Sequence, residues 1–319
     1  MPAFTASAPG KIILFGEHAV VYGEPALAVP VPALQARAII SPNLSGSTGE
    51  VQIEAPEISL ATPLSALKPD HPLKAAISQV VGKENLEQIP ACQIQINSSI
   101  PLSSGLGSSA AISSALIRAL AGFLGRPLTD DEVSQAAFEV EKIHHGTPSG
   151  IDNSVIVFQK PVFYQKGEPI EFLTIEKPFQ ILIAGSGSPG DTRQAVELVK
   201  QNWSREPERY QQYFSEIGDI ARTARELLLK GQFRDLGPLM DQNQRLLGEL
   251  GVSTPTLDHL AQTAKQAGAL GAKLSGGGLG GYLIALVEDR IEPIREALIK
   301  EGASGLYLTT IGQPAPLEG

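Results

Sequence analysis

The sequence predicts an α+β protein, and three observations lead there. Short segments of strand-like alternation, such as Cys92-Gln-Ile-Gln-Ile-Asn97, are interspersed with stretches of helical period. The two do not alternate strictly, as a doubly wound sheet would require. The texture also changes along the chain: strands dominate the first part, whereas long amphipathic helices dominate from Asp191 to Leu250. A boundary is expected near 165–180, where Gly167 and Pro169 precede a new buried strand. This gives two domains, 1–175 and 176–319.

The elements are predicted in chain order. Phe4 to Ala8, Lys11 to Phe15 and Leu34 to Ile40 read as strands, separated by Pro and Gly turns. Residues 41–70, rich in Pro, Ser and Gly, read as loop with short strands. A short helix is expected from Pro72 to Val81, and a buried one from Ala110 to Leu124. Thr129-Asp-Asp-Glu132 has the form of a capping box and should open a helix running to about His144. Val155 to Phe158 and Val162 to Tyr164 read as a strand pair, and Gln180 to Ala184 as a buried strand. Beyond the long helices, a helix from Pro255 to Gly268 precedes strands Gly271 to Leu274 and Gly281 to Val287. A helix (Ile291 to Glu301) and a strand (Gly305 to Thr309) follow.

Composition narrows the function classes. A chain of 319 residues with 42% hydrophobic and 18% charged residues can bury one large or two ordinary cores. A formal charge of −9 argues against nucleic-acid or anionic-membrane partners. The single cysteine, Cys92, excludes an internal disulfide and a cysteine-based zinc site, and its place in an alternating strand reads as a buried structural thiol. No signal peptide is apparent, and no apolar run approaches the roughly 20 residues that span a bilayer. A soluble cytoplasmic protein is the expectation.

Four constellations carry chemistry. Pro101-Leu-Ser-Ser-Gly-Leu-Gly-Ser-Ser-Ala-Ala111 is a glycine loop that follows the strand Cys92 to Asn97 and leads into a helix N-terminus. That arrangement makes a phosphate cradle, although a plain Gly/Ser turn has the same composition, and no Gly-Lys-Ser/Thr closes it as in a Walker loop. In Pro9-Gly-Lys-Ile-Ile-Leu-Phe-Gly-Glu-His18, Lys11 and the Glu17-His18 pair sit at opposite ends of one short strand. A solvated strand-end lysine and a hydrogen-bonded turn histidine are the bland alternatives. No second ligand stands at zinc spacing from His18. In Glu139-Val-Glu-Lys-Ile-His-His-Gly-Thr-Pro-Ser-Gly-Ile-Asp-Asn153, Glu141 lies near a helix C-terminus, where the dipole calls for a compensating cation. Asp152 follows a Pro-Ser-Gly turn, either as a helix cap or as a carboxylate held on a rigid turn. His144 and His145, adjacent on a helix, point in different directions and read as structural. Further along, Lys273-Leu-Ser-Gly-Gly-Gly-Leu-Gly-Gly281 is either a flexible hairpin or a second glycine loop for close backbone approach.

Together and in this order, these segments resemble the motifs of the GHMP kinase superfamily, and within it the mevalonate kinase family. Pro9-Gly-Lys11 with Gly16-Glu-His-Ala-Val-Val-Tyr-Gly23 is similar almost letter for letter to the first motif of that family. Pro101 to Ala111 resembles the ATP-binding motif, and Lys273 to Gly281 the third, glycine-rich motif. Glu141 and His145-Gly-Thr-Pro-Ser-Gly-Ile-Asp152 match the region that supplies a metal-binding Glu and the catalytic Asp. Pro189-Gly-Asp-Thr-Arg193 resembles a substrate-side loop, less specifically. The third motif departs from the usual Gly-Ala-Gly-Gly-Gly-Gly, with Gly277 in place of Ala and Leu279 in place of a Gly, which puts the loop's detailed role in doubt. Ser103-Ser104 stands where Gly-Ala or similar is common, a swap that keeps the residues small.

The resemblance implies a two-domain GHMP kinase fold, with a ribosomal protein S5 domain 2-like N-terminal domain and a ferredoxin-like C-terminal domain. It implies ATP as co-substrate, bound by Pro101, Ser103, Ser104, Gly105, Leu106, Gly107, Ser108 and Ser109, with Mg²⁺ on Ser109 and Glu141. Asp152 and Lys11 would be catalytic, and Glu17, His18, Thr192, Gly277 and Gly278 would face mevalonate, whose primary hydroxyl receives the phosphoryl group. Alternatives remain: a phosphomevalonate kinase, a mevalonate 3-kinase, a sugar kinase, or a non-catalytic metabolite sensor. Ala19-Val-Val-Tyr22 replaces the Thr-Asp-Tyr typical of galactokinases, and Lys11 and Arg193 are the motif cations read as available to a substrate phosphate, which is little support for a phosphorylated acceptor. The oligomeric state stays open, with a homodimer among the choices.

Overall fold

The computed structural model describes residues 3–102, 104–145 and 149–312, apart from the side chains of His144 and His145. In chain order the elements are β1 (Phe4–Phe15), β2 (Ala26–Pro42), β3 (Val51–Ala55), β4 (Leu60–Pro63), α1 (Pro72–Val81), β5 (Cys92–Ser98), α2 (Ser108–Phe123), α3 (Asp130–His145) and α4 (Ile151–Phe158). There follow β6 (Val162–Tyr164), β7 (Glu171–Phe172), β8 (Phe179–Gly185), α5 (Thr192–Arg205), α6 (Pro207–Leu229), α7 (Leu236–Glu249) and α8 (Pro255–Gln266). The chain continues through β9 (Gly271–Ser275), β10 (Tyr282–Val287), α9 (Ile291–Lys300) and β11 (Ser304–Ile311).

Contacts divide the chain into two compact units that interleave along the sequence. The first holds Met1–Gly10, Leu34–Pro101 and Gly107–Gln159; the second holds Lys11–Ala33, Leu102–Leu106 and Lys160–Gly319. The interleaving follows from two long strands. The sequence predicts a break at Pro9-Gly10, whereas β1 runs through both residues, and β2 starts at Ala26 instead of Leu34. Proline lacks only the N–H, so it is tolerated where a strand position needs no donated ladder bond.

In the first unit, β4, β3, β5 and the C-terminal part of β2 pair in that order, with β3 parallel and β2 antiparallel to β5. Helix α2 packs on α1, α3 and α4 and is buried on nearly every side, as its run of Ala, Ser and Leu requires. The predicted capping box is present: Thr129 Oγ1 accepts from the Glu132 N–H at 3.3 Å, and Glu132 Oε2 accepts from the Thr129 N–H at 2.8 Å. Cys92 is buried in β5, and burial pushes its thiol up to about 11. One expectation fails. Val155 to Phe158 is the second half of helix α4, not a strand. A short apolar run has no readable period, and here Gly150, left-handed at φ 85°, opens a helix that the run completes inside the core.

The second unit is built on a four-stranded antiparallel sheet of order β11-β8-β10-β9. Its β9 edge is covered by α7. Asp241 Oδ1 accepts from the Ala272 N–H at 3.3 Å and Gln244 Oε1 from the Leu274 N–H at 2.8 Å, so the edge donors are satisfied by side chains. Helix and strand touch through glycines: a β-carbon on Gly237 would lie 2.2 Å from the Leu270 carbonyl oxygen. Among the described residues, no helix is long and apolar enough to cross a membrane.

Candidate active site

The segment 101–111 forms the loop the sequence predicts, ending at the N-terminus of α2. Gly105 and Gly107 are both left-handed, at φ 73° and 81°. No described atom lies within 4 Å of where a β-carbon on Gly105 would sit, so that side of the backbone is approachable. Ser104 is buried, and its Oγ accepts from the Leu106 N–H at 3.2 Å. The Leu106 carbonyl in turn accepts from the Lys11 N–H at 2.8 Å, which fixes the loop on β1. Helix α2 has no side-chain cap and no acidic residue in its first turn, so its first N–H groups keep their partial positive charge. The Ser108 hydroxyl oxygen is buried without a hydrogen-bond partner. Ser103 and residues 146–148 lie outside the described residues.

Glu141 is buried, 4% exposed, in the last turns of α3. Ser109 Oγ donates to its Oε1 at 2.7 Å, so the structure brings together the two residues the sequence assigns to a metal. Asp152 sits half-buried in the first turn of α4. The start of that helix is anchored: Asn153 Nδ2 donates to the carbonyl and hydroxyl oxygens of Ser134 at 3.2 and 2.8 Å. Arg118 Nη2 ties its other end through the Val157 carbonyl at 2.9 Å. The first-turn position is the one a cap-like carboxylate also takes, and the anchored backbone makes it rigid.

The Glu17-His18 pair lies beyond Gly16, whose φ of 98° and contacts leave no room for a side chain: a β-carbon would be 2.5 Å from Ala26 Cα and the Pro25 carbonyl oxygen. His18 itself has a positive φ of 61° with ψ at −48°, an uncommon conformation held by the loop. Its Nε2 lies 2.8 Å from the Gly277 carbonyl oxygen. A carbonyl only accepts, so Nε2 carries the proton and Nδ1 is left as an acceptor. Burial lowers the imidazole pKa from 6.5, more than the Gly277 bond raises it, and the ring is neutral near pH 7.

Glu17 is 3% exposed, and its Oε1 takes the ammonium of Lys273, which is completely buried. Lys273 also donates to the Leu274 carbonyl at 2.6 Å and lies 5.9 Å from the centre of the Phe15 ring. Burial pushes the Glu17 carboxyl up, with Lys273 and then Lys11 pulling it back, and pushes the Lys273 amine down. The pair holds because each charge answers the other; removing either would strand a buried charge. The second oxygen of Glu17, Oε2, is buried with no hydrogen-bond partner among the described residues. Sequence reasoning assigned Lys273 no role. The available signal was a single lysine inside Gly271-Ala-Lys-Leu-Ser275, a five-residue strand buried at every position.

The third glycine segment is a packed turn. A β-carbon on Gly277 would meet Thr192 Oγ1 at 2.6 Å and Thr192 Cα at 2.7 Å; one on Gly278 would meet the Val252 carbonyl at 2.2 Å, and one on Gly280 the Pro189 carbonyl at 2.5 Å. The Leu279 N–H donates to the Val252 carbonyl at 2.7 Å and the Gly281 N–H to the Ser188 carbonyl at 2.8 Å. Both departures from the usual motif thus have local reasons. Gly277 lets Thr192 approach, and Leu279 is accommodated left-handed at φ 56°. Thr192 is the exposed first residue of α5, whose N-cap Asp191 accepts from the Gln194 N–H at 2.8 Å. The structure therefore gathers Glu17, His18, Gly277, Gly278 and Thr192 around one pair of loops in the second unit, with Ser275 Oγ bonded to both the N–H and the carbonyl of Ile13.

Comparison with known proteins matches two family models: the GHMP kinases N terminal domain over residues 72–160 and the GHMP kinases C terminal domain over residues 224–304. A mevalonate kinase of Thermococcus sibiricus is 35% identical, over 96% of this chain and 95% of its own. The chain belongs to the mevalonate kinase family of GHMP kinases. Among solved structures, the Methanococcus jannaschii mevalonate kinase superposes with a TM-score of 0.84 at 28% identity, covering 97% of this chain and 98% of its own. The L. major mevalonate kinase in complex with R-mevalonate superposes with a TM-score of 0.80 at 29% identity, covering 98% and 97%. The first family model spans the 101–111 loop, Glu141 and Asp152, and the second spans Lys273 to Gly281. The GHMP kinase fold expected from the motifs is the fold observed.

Proposed function

We propose that the protein transfers the γ-phosphoryl group of ATP to the primary hydroxyl of (R)-mevalonate, giving 5-phosphomevalonate. The observation that carries this reading is likeness to mevalonate kinases along nearly the whole chain, with both the lysine and the aspartate of the family's chemistry in place as Lys11 and Asp152. Loss of either would mark a silent, sensing relative. In this reading Asp152 accepts the proton of the substrate hydroxyl, and Lys11 favours the alkoxide that develops. Pro101, Ser103, Ser104, Gly105, Leu106, Gly107, Ser108 and Ser109 hold the ATP phosphates, the uncapped α2 N-terminus supplying N–H donors. Glu17, His18, Thr192, Gly277 and Gly278 face mevalonate, with Glu17 Oε2 as an acceptor for a substrate hydroxyl.

Mg²⁺ fits the residues present. Ser109 and Glu141 offer hard oxygens, and few protein ligands suffice for an ion that keeps waters and phosphate oxygens around it. The ion would neutralise charge on the transferring phosphoryl group. The reading further divides the chain at 175/176 into the two GHMP domains, and it places the enzyme in the cytoplasm, without a nucleic-acid or membrane partner and with a homodimer as an assembly. An ADP-release assay over mevalonate, 5-phosphomevalonate, galactose and homoserine tests it. ADP forming one-for-one with mevalonate, and slowly or not at all with the others, is the expected outcome; stoichiometric ATP binding with no ADP formed would favour a sensor.

A further inference from the structure

Helix α6 contains a glycine that belongs to none of the motifs. Gly218 sits mid-helix, where glycine disfavours the helical state relative to alanine. Its environment supplies a reason. A β-carbon there would lie 2.1 Å from Glu24 Oε2, 2.8 Å from Glu24 Cδ and 3.1 Å from Glu24 Cβ. Without one, the Glu24 side chain lies across the helix and reaches Arg222, whose Nη2 donates to Oε2 at 2.7 Å. One turn earlier, the Tyr22 ring stacks on Phe214 with centroids 4.0 Å apart and planes 8° apart. Residues 214, 218 and 222 are spaced i, i+4, i+8 and so form one stripe of the helix.

The segment gripped by this stripe is the end of the loop that begins at Gly16 and carries Glu17 and His18. It is held at further points: Gln165 Nε2 donates to the Gly23 carbonyl at 3.1 Å, and Tyr22 meets Trp203 of α5 edge-on at 5.1 Å. We propose that Phe214, Gly218 and Arg222 are positioning residues, a track that fixes the Glu17-His18 loop in the geometry that receives the substrate. The inference rests on the reading that this loop faces mevalonate. None of the three needs to touch the substrate; each acts through Tyr22 or Glu24. Glycine is selected at 218 for the passage of the Glu24 side chain, against the helix's own preference.

The test is Gly218→Ala, compared with Arg222→Gln and Arg222→Lys. The added methyl displaces the far end of a flexible glutamate, and alanine favours the helix, so the variant folds. Gly218→Ala should raise the KM for mevalonate about tenfold, with the KM for ATP and kcat at saturation changed less than about twofold and the melting temperature equal or higher. Arg222→Gln should give a smaller rise of the same kind, which Arg222→Lys restores. Trp203 is the only tryptophan, and its emission should become more accessible to acrylamide in Gly218→Ala as Tyr22 loosens. Unchanged mevalonate KM together with unchanged quenching overturns the proposal, as does an equal rise in both KM values with a lowered melting temperature. Wild-type protein that forms no ADP with mevalonate refutes the substrate reading alone; the quenching comparison then decides the track by itself.

Discussion

The two glycine loops look alike as sequence and differ as structure. In 101–111, the left-handed Gly105 faces open space, and removal of the side chain exposes backbone. In 276–281, Gly277, Gly278 and Gly280 face protein at 2.2–2.6 Å, and removal of the side chain lets Thr192, Val252 and Pro189 close in. Glycine therefore leaves backbone open at Gly105 and permits tertiary packing at Gly277, Gly278 and Gly280. Composition alone does not separate the two uses, because both need small residues and positive φ.

The largest effect concerns the carboxylate proposed to take the substrate's proton. Asp152→Asn should lower kcat by about three orders of magnitude or more while ATP binding stays near normal, since the phosphate-facing backbone is untouched. Steady-state kinetics with nucleotide-binding titration checks this; a variant retaining more than about a tenth of the activity shows that another group takes the proton. The next effect separates the loops directly. Gly278→Ala combines a strained left-handed alanine with a β-carbon 2.2 Å from a backbone oxygen. It should cost about 3–4 kcal/mol and lower the melting temperature by roughly 10 °C. Gly105→Ala meets no neighbour and carries the strain alone, about 1–2 kcal/mol, so calorimetry should show a small shift. Its signature belongs in the KM for ATP, which should rise several-fold. If Gly105→Ala unfolds the protein and Gly278→Ala spares it, the contrast drawn above is wrong. Glu141→Gln then probes the other partner of the α2 N-terminus: the Mg²⁺ concentration for half-maximal rate should rise about tenfold, and an unchanged titration would remove Glu141 from the metal.

How much of this was legible in sequence follows the same physics. Pro72–Val81 appears as predicted because one buried face imposes its period on the residues, and Phe179–Gly185 appears almost as predicted as a strand buried at nearly every position. The short run Val155–Phe158 was misread because four apolar residues have no period to show. The pairing of Ser109 with Glu141 was reachable only through motif resemblance, since the two are 32 residues apart and their meeting depends on how α2 packs on α3. The roles of Lys273 and Gly218 were out of reach for a deeper reason. Lys273 has meaning only because Glu17, 256 residues away, is buried against it, and Gly218 only because Glu24 crosses its helix. Such partners are set by tertiary structure, and no local pattern marks them.

The smallest expected effect concerns His18, which joins the packed glycine loop to the loop after Gly16 through the Gly277 carbonyl. Burial lowers its pKa below the 6.5 of the unfolded chain. Below that pH the unfolded state binds a proton that the folded state resists, so this residue's contribution to stability is complete above about pH 6.5 and is lost as the pH falls. Glu17 has the opposite sign: its raised pKa makes the folded state take up a proton first, so acidification toward its range favours folding. Comparing variants isolates the histidine. Asparagine, like histidine, is among the residues found most often at positive φ, and His18→Asn has no titrating ring. Between about pH 7.5 and 5.5 the melting temperature of the wild type should fall more steeply than that of His18→Asn, and the two curves should converge toward the acid end. Parallel curves would mean that His18 titrates normally in the folded protein, and that the bond to Gly277 does not hold a neutral ring in a dry site.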